Sequence, residues 1–181
     1  MDTKKYVIAG FLIFVLFVIA IFTSCGGNNM QSKKMLNNFS IIIESGNLDT
    51  LSLTIYYISP SILTRHPISV NDLMDYSGVN KIVINGSDLE EHIDLLNQLS
   101  NTALIPVKSK SYLDARLYYL FETKEEGAIF DVAIGVSDGK SMFVNGTKVK
   151  GNDIFIDVLI PFLTEDAVKE LGVYLVRDNH D

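Results

Sequence analysis

Three alternating segments joined by short turns constrain this chain more than any other feature. "ARLYYLFET" spans residues 115–123, "AIFDVAIGV" 128–136 and "SMFVN" 141–145, with "KEEG" and "SDGK" between them. Turns this short join antiparallel neighbours, because a parallel pair needs a crossover of roughly a dozen residues or more. The spacing therefore predicts an antiparallel meander. Successive side chains along a strand point to opposite faces. Leu117, Tyr119 and Phe121 thus share a face, opposed by Phe130, Val132 and Ile134, and form one apolar sheet surface that needs a cover.

The rest of the chain supplies further strands and that cover. "FSIIIES" (39–45) reads as a strand and "LSLTIYYIS" (51–59) as its alternating hairpin partner, with Pro60 closing the second. Between 61 and 78 the signal is weaker: "ISV" as a short strand, and "VNDLMDY" as one or two helical turns capped by Asn71. Lys81 to Ile84 is a short strand. Gly86 turns the chain, and Ser87 with Glu90 has the spacing of a capping box for a helix at 88–100, where Leu89, Ile93, Leu96 and Leu99 recur at helical spacing. "IPVKSK" is a strand or extended loop, and "TKVKGNDIFI" holds short edge pieces. Thr164, followed by Glu165 and Asp166, opens a last helix near 164–171, set apart by Pro161 from a short helix at 157–160. "VINGSD" and "FVNGTK" read as shared turn chemistry. The predicted fold is α+β: an antiparallel sheet of five to seven strands with two main helices on one face.

The N-terminus sets a different constraint. "MDTKK" is a short basic start, and residues 6–22 are an apolar run that reaches the single cysteine, Cys25, through "TS". "FTSC" followed by "GGNN" resembles the lipobox of a bacterial lipoprotein, with Phe22 where that motif usually has Leu. The resemblance implies that lipid, typically palmitate, is attached to Cys25 and that the signal is cut just before it. It covers a few residues only. The other reading is an uncleaved membrane helix, since 17 residues lie at the short end of a bilayer span. Both put the globular part outside the cytoplasmic membrane, because the lysines precede the helix and stay inside. The expected organisation is a signal or anchor at 1–24, a flexible tether at 25–38 and one α+β domain at 39–181. Its expected location is the extracytoplasmic side of the cell membrane.

Composition narrows the partners. The net charge of −7 becomes −8 once residues 1–24, which carry Asp2, Lys4 and Lys5, are set aside. An acidic surface argues against non-specific nucleic-acid binding and gives no polybasic patch for anionic lipid. One cysteine allows no internal disulfide, so packing holds the domain together.

Chemistry-bearing patterns are sparse. His66 precedes Pro67 in a loop and His180 is next to last. His92 falls four residues after Asp88 on the predicted helix, so the two share a face and form half of a metal site at most. No H-E-x-x-H, spaced calcium loop, phosphate-binding glycine loop or G-x-S-x-G is present, so no cofactor is implied and no catalytic residue is singled out. Tyr56 and Tyr118 fall on the opposite faces of their strands from the buried Tyr57 and Tyr119, beside Thr54 and Arg116. They form a binding surface if nothing covers them and the edge of a core if a helix does. The expected function is a membrane-anchored binding or protein-interaction module of the cell envelope, meeting an envelope protein. The alternatives are an envelope hydrolase or metal-dependent enzyme, which needs a cleft joining Asp88 or His92 to His66, and a solute-capture protein, which needs an aromatic-lined pocket at Tyr56 or Tyr118.

Overall fold

A computed structural model describes residues 27–46, 48–108, 112–135 and 141–172, without the side chains of 27–35 and 141. The chain runs α1 (Gly27–Ser45), β1 (Leu51–Tyr57), α2 (Val70–Met74), β2 (Asn80–Asn85), α3 (Gly86–Glu90), α4 (Ile93–Ser100) and β3 (Ala115–Thr123). It continues through β4 (Gly127–Gly135), β5 (Ser141–Val144), β6 (Thr147–Lys150), α5 (Ile154–Asp157), a 3₁₀ turn (Ile160–Phe162) and α6 (Glu165–Glu170). The fold is α+β, with a six-stranded antiparallel sheet in the order β2-β1-β3-β4-β5-β6. The predicted meander is β3 to β6. Leu117 faces Ile134, Tyr119 faces Val132 and Phe121 faces Phe130, the cross-strand set that the alternation requires. Residues 105–107 run beside β6, with the Val107 N–H donating to Lys148 O and the Lys150 N–H to Ile105 O.

The first sheet face carries the main core. Leu53, Ile55, Tyr119, Phe121, Phe130 and Val132 are buried beneath Phe39 and Ile43 of α1, Leu96 and Leu99 of α4, and Phe155 of α5. The Phe39 ring sits 4.7 Å from Phe121 and 5.1 Å from Phe130. Tyr119 is fully buried, and its hydroxyl donates to Phe155 O at 2.9 Å. That bond satisfies a phenol that burial would otherwise leave unpaired.

Several local expectations change. Residues 39–45 are helix, not strand. Three isoleucines in a row read as extended chain, but Leu36, Phe39 and Ile43 stand three and four apart, and that spacing places them on one helical face over the sheet. The described part of the expected tether, 27–38, is the beginning of the same helix. The helix predicted at 88–100 is two helices. The ladder stops at Glu90, the His92 N–H bonds back to Leu89 O at 3.0 Å, and α4 restarts at Ile93. Ser87 and Glu90 form no capping box, because α3 begins two residues earlier, at Gly86, with Asn85 at its cap. The cap of α2 is Ser69 instead of Asn71, and it forms a capping box: Ser69 Oγ accepts from the Asp72 N–H while Asp72 accepts from the Ser69 N–H. Thr164 caps α6 by accepting from the Ala167 N–H.

The two Asn-Gly pairs are not the same turn. Asn145 and Gly146 take φ of 47° and 71° and make the two-residue hairpin between β5 and β6, a conformation that favours these residue types. Gly86 has no positive φ; it is glycine because a Cβ there would meet Leu48 O at 1.8 Å.

Helices do not confine themselves to one face. α2 and the chain around it cover part of the second, where Leu73 packs with Ile58, Ile68, Ala115, Tyr118 and Ala133.

Candidate functional site

The second sheet face is where the predicted tyrosines lie, and the register brings them together. Tyr56 stands directly across from Tyr118, with ring centroids 6.2 Å apart. Lys81 of β2 is the next residue in that row, and its Nζ sits 5.2 Å from the centre of the Tyr56 ring, within reach of a cation–π attraction. Tyr118 is buried and belongs to the smaller core, whereas Tyr56 is half-buried at its margin. Of the predicted surface pair, then, only Tyr56 is accessible. The cover is α2 with Ile62, Val70, Met74, Tyr76 and Val79. Burial pushes the Tyr118 phenol well above its usual range, with Asp131 adding to the effect.

Asp131 lies one row away, opposite Leu120. Burial raises its carboxyl to about 6, because removing water penalises the charged form. Its backbone N–H donates to Asn145 Oδ1 at 2.8 Å, and the Asn145 N–H returns a bond to Asp131 O at 2.9 Å. Val83 is exposed beside Thr54 in the same row. The open part of this face is thus a ledge with Lys81, Tyr56, Val83 and Leu120, and a half-buried acid at one side.

The end of this face is fastened by a buried ion pair that the sequence reading did not find. Ala115 faces Gly135 and Leu117 faces Ile134, so Arg116 is the extra residue of a β-bulge. Its side chain is buried and forks onto Asp114, Nη1 donating to Oδ1 at 2.6 Å and Nη2 to Oδ2 at 3.2 Å. Nη2 also reaches Thr64 Oγ1 at 3.1 Å and Ile62 O at 3.4 Å, while Asp114 Oδ1 accepts the Ile68 N–H at 2.9 Å. Among the described residues Arg116 Nε has no partner. One guanidinium therefore holds the 62–68 loop against the start of β3. Of its partners, Thr64 and Ile62 lie about 50 residues away along the chain, a pairing with no local signature.

The remaining sequence candidates are scattered. Asp88 is exposed on α3, and His92 packs edge-on against Phe162 with ring centroids 5.0 Å apart. His66 is exposed on the loop held by Arg116. Among the described residues no group of three or more His, Cys, Asp and Glu side chains is placed to hold a metal. A groove of about 280 Å³ lies between α1 and the end of α4, lined by Leu36, Ser40, Ser100 and Leu104, away from both tyrosines. Cys25, His180 and the apolar 6–22 run lie outside the described residues. Among the described residues no helix is long and apolar enough to cross a membrane.

No protein-family model matches the chain, and no curated protein or solved structure is similar to it.

Proposed function

We propose that this is a lipoprotein of the cell envelope, held on the extracytoplasmic side of the cell membrane through lipid on Cys25, whose α+β domain is a non-enzymatic interaction module. The observation that carries the reading is the apolar run 6–22 after Lys4 and Lys5, ending in "FTSC" and "GGNN". An uncleaved N-terminal helix is the other way the same stretch anchors the domain. Anchoring raises the domain's effective concentration near envelope partners. The ledge of Lys81, Tyr56 and Val83 offers a protein partner a cation, an aromatic ring and an exposed apolar side chain in adjacent positions.

A hydrolase reading has one observation in its favour, the Asp131 carboxyl raised to about 6. Its neighbours in the row are Leu120 and Asn145, and among the described residues no histidine or serine is bonded to it.

Mass spectrometry of the native protein from the membrane fraction tests the anchor. A lipid-modified peptide starting at Cys25 is the expected result, and an intact 1–24 segment makes the anchor a helix instead. In-cell crosslinking, compared with Cys25→Ala, tests the module. Reproducible capture of one envelope protein, weakened when the anchor is lost, is expected; capture of nothing above background removes the reading.

A further inference from the structure

The two edges of the sheet are finished differently. Residues 105–107 run beside β6, tied to Lys148 and Lys150 by backbone bonds, and Pro106 among them has no N–H for a further strand. β2 is the other edge, and among the described residues nothing pairs with its outer side. The ladder shows which groups that side carries. The Ile58 N–H donates to Arg116 O, so in the same register Thr54 and Tyr56 bond toward β3, and Leu53, Ile55 and Tyr57 toward β2. Their partners Ile84, Ile82 and Asn80 therefore turn their backbone groups inward. By the same alternation the N–H and C=O of Lys81 and Val83, with the Asn85 N–H, point out from the sheet.

Natural sheets blunt an open edge with proline, a bulge, a covering segment or a charge set across it. β2 contains no proline, its register with β1 is continuous, and Val83 near its centre is 55% exposed. Its one charge, Lys81, is folded back over the Tyr56 ring of β1 and does not guard the edge. A row of backbone donors and acceptors at strand spacing is complemented along its length by another extended polypeptide. The edge therefore specifies a strand as its ligand, whatever the charge around it.

The anchor decides against a second copy as that strand. Leu36 of α1 lines a groove with Leu104, next to Ile105, whose carbonyl accepts from Lys150 at the sheet end where β2 begins. α1 therefore starts at that end and runs to the other, where Leu48 meets Gly86. Only residue 26 separates α1 from Cys25. Copies anchored in one membrane thus carry their β2 strands parallel to one another, whereas two identical edges related by a two-fold axis pair antiparallel.

Resting on the anchored reading above, we infer that β2 takes up an extended segment of a different envelope protein as a seventh strand of the six-stranded sheet. The segment bonds to the backbone of Lys81, Val83 and Asn85 and sets an aliphatic side chain beside Val83 on the open ledge.

A photoreactive residue is placed singly at 81, 83 and 85 of the full chain in cells, and at 107 on the closed edge as a control. Crosslinks from the three β2 positions should fall on one segment of one envelope protein in steps of two residues, several-fold more than from 107. Val83→Pro removes an outward N–H and no bond to β1, and it should cut capture from 81 several-fold; Val83→Thr keeps the backbone and should retain most of it. If the proline variant does not fold, hydrogen exchange of the purified full chain still tests the edge. The Lys81 and Val83 amides should exchange many-fold faster than those of Ile82 and Ile84, and equal rates overturn the proposal. Crosslinks to a second copy, or to residues 173–181 of the same chain, overturn the occupant, as do crosslinks without the two-residue steps. If whole-chain crosslinking captures one envelope protein but the β2 positions do not, the edge is overturned and the interaction module stands; capture from no position overturns both.

Discussion

The two faces of the sheet are closed by different physics. On the first, α1, α4 and α5 lay Phe39, Ile43, Leu96, Leu99 and Phe155 over a continuous apolar surface, and hydrophobic burial supplies the closure. On the second, the short α2 and the 58–79 chain cover only part of the area, and a buried guanidinium fastens them. Burial is non-directional and tolerates small shifts. A forked ion pair is directional and holds a loop in one position, at the cost of desolvating two charges. The contrast fits the division of labour proposed above, in which one face stabilises the domain and the other presents surfaces.

The largest expected effect attacks the first face. Phe121 is fully buried against Phe39, Phe130 and Tyr119. Phe121→Ala should cost about 3–5 kcal/mol, read as a fall in the urea midpoint with an unchanged slope. A change below about 1 kcal/mol would mean that the first face is not the stabilising one.

Next comes the ion pair. Asp114→Asn leaves Arg116 buried without a counter-charge and should cost about 3 kcal/mol, the lower end for a broken buried pair because Asp114 retains some exposure. The comparison is sharpened by replacing both partners with apolar residues. Arg116→Met with Asp114→Leu should recover much of the stability while increasing hydrogen exchange in the 62–68 loop. If exchange there stays slow, the loop is held by packing and the two faces are closed in the same way.

These two sites also mark how far the sequence could be read. Phe121 lies in an alternating run whose partner is one short turn away, so its burial and register were both legible. Arg116 lies in the same run, but its role depends on a bulge that alternation does not encode and on Thr64 and Ile62, which are remote in the chain. The helix over 39–45 lay between these cases. Its core spacing is visible in Leu36, Phe39 and Ile43, but Ile41 and Ile42 fill the gaps and mask it with a strand-like run. Likewise "NG" specified a turn at Asn145 and Gly146, whereas at Gly86 the requirement came from Leu48, a neighbour that only the fold supplies. Tyr56 and Tyr118 were assigned the correct face, but their cover comes from the segment with the weakest signal, so the burial of Tyr118 was not legible.

A smaller effect separates the faces by pH. Asp131 titrates near 6 in the folded protein because it is partly buried, against about 3.9 in the unfolded chain. The folded state therefore binds the proton more tightly, and stability falls as pH rises from about 4 to about 6, then levels off. Asp131→Asn should remove that slope and raise stability at pH 7 by about 1–2 kcal/mol, after discounting for solvent screening. Unfolding curves collected from pH 4 to 7 check it, and an unchanged slope would show that Asp131 is better hydrated than its position on the second face implies.

The smallest effect compares two helix caps, one on each face. Ser69 caps α2 through a reciprocal box with Asp72, and Thr164 caps α6 with one bond to Ala167. Either cap replaced by alanine should cost about 1 kcal/mol, so global stability alone does not tell them apart. Two local readouts do. The Ser69 hydroxyl and backbone N–H hold the Asp72 carboxyl below its ordinary range. Ser69→Ala should therefore return its NMR titration upward, while Thr164→Ala leaves it in place. Because α2 packs on the smaller core, Ser69→Ala should also speed hydrogen exchange in α2 and the 62–68 loop with β3 and β4 still protected. Thr164→Ala acts on α6, where Ala167 and Leu171 belong to the main core, so its loss should spread through the first face. Equal spreading from both caps would mean that the two faces open as one unit, and the second face would lose its claim to be a separately fastened surface.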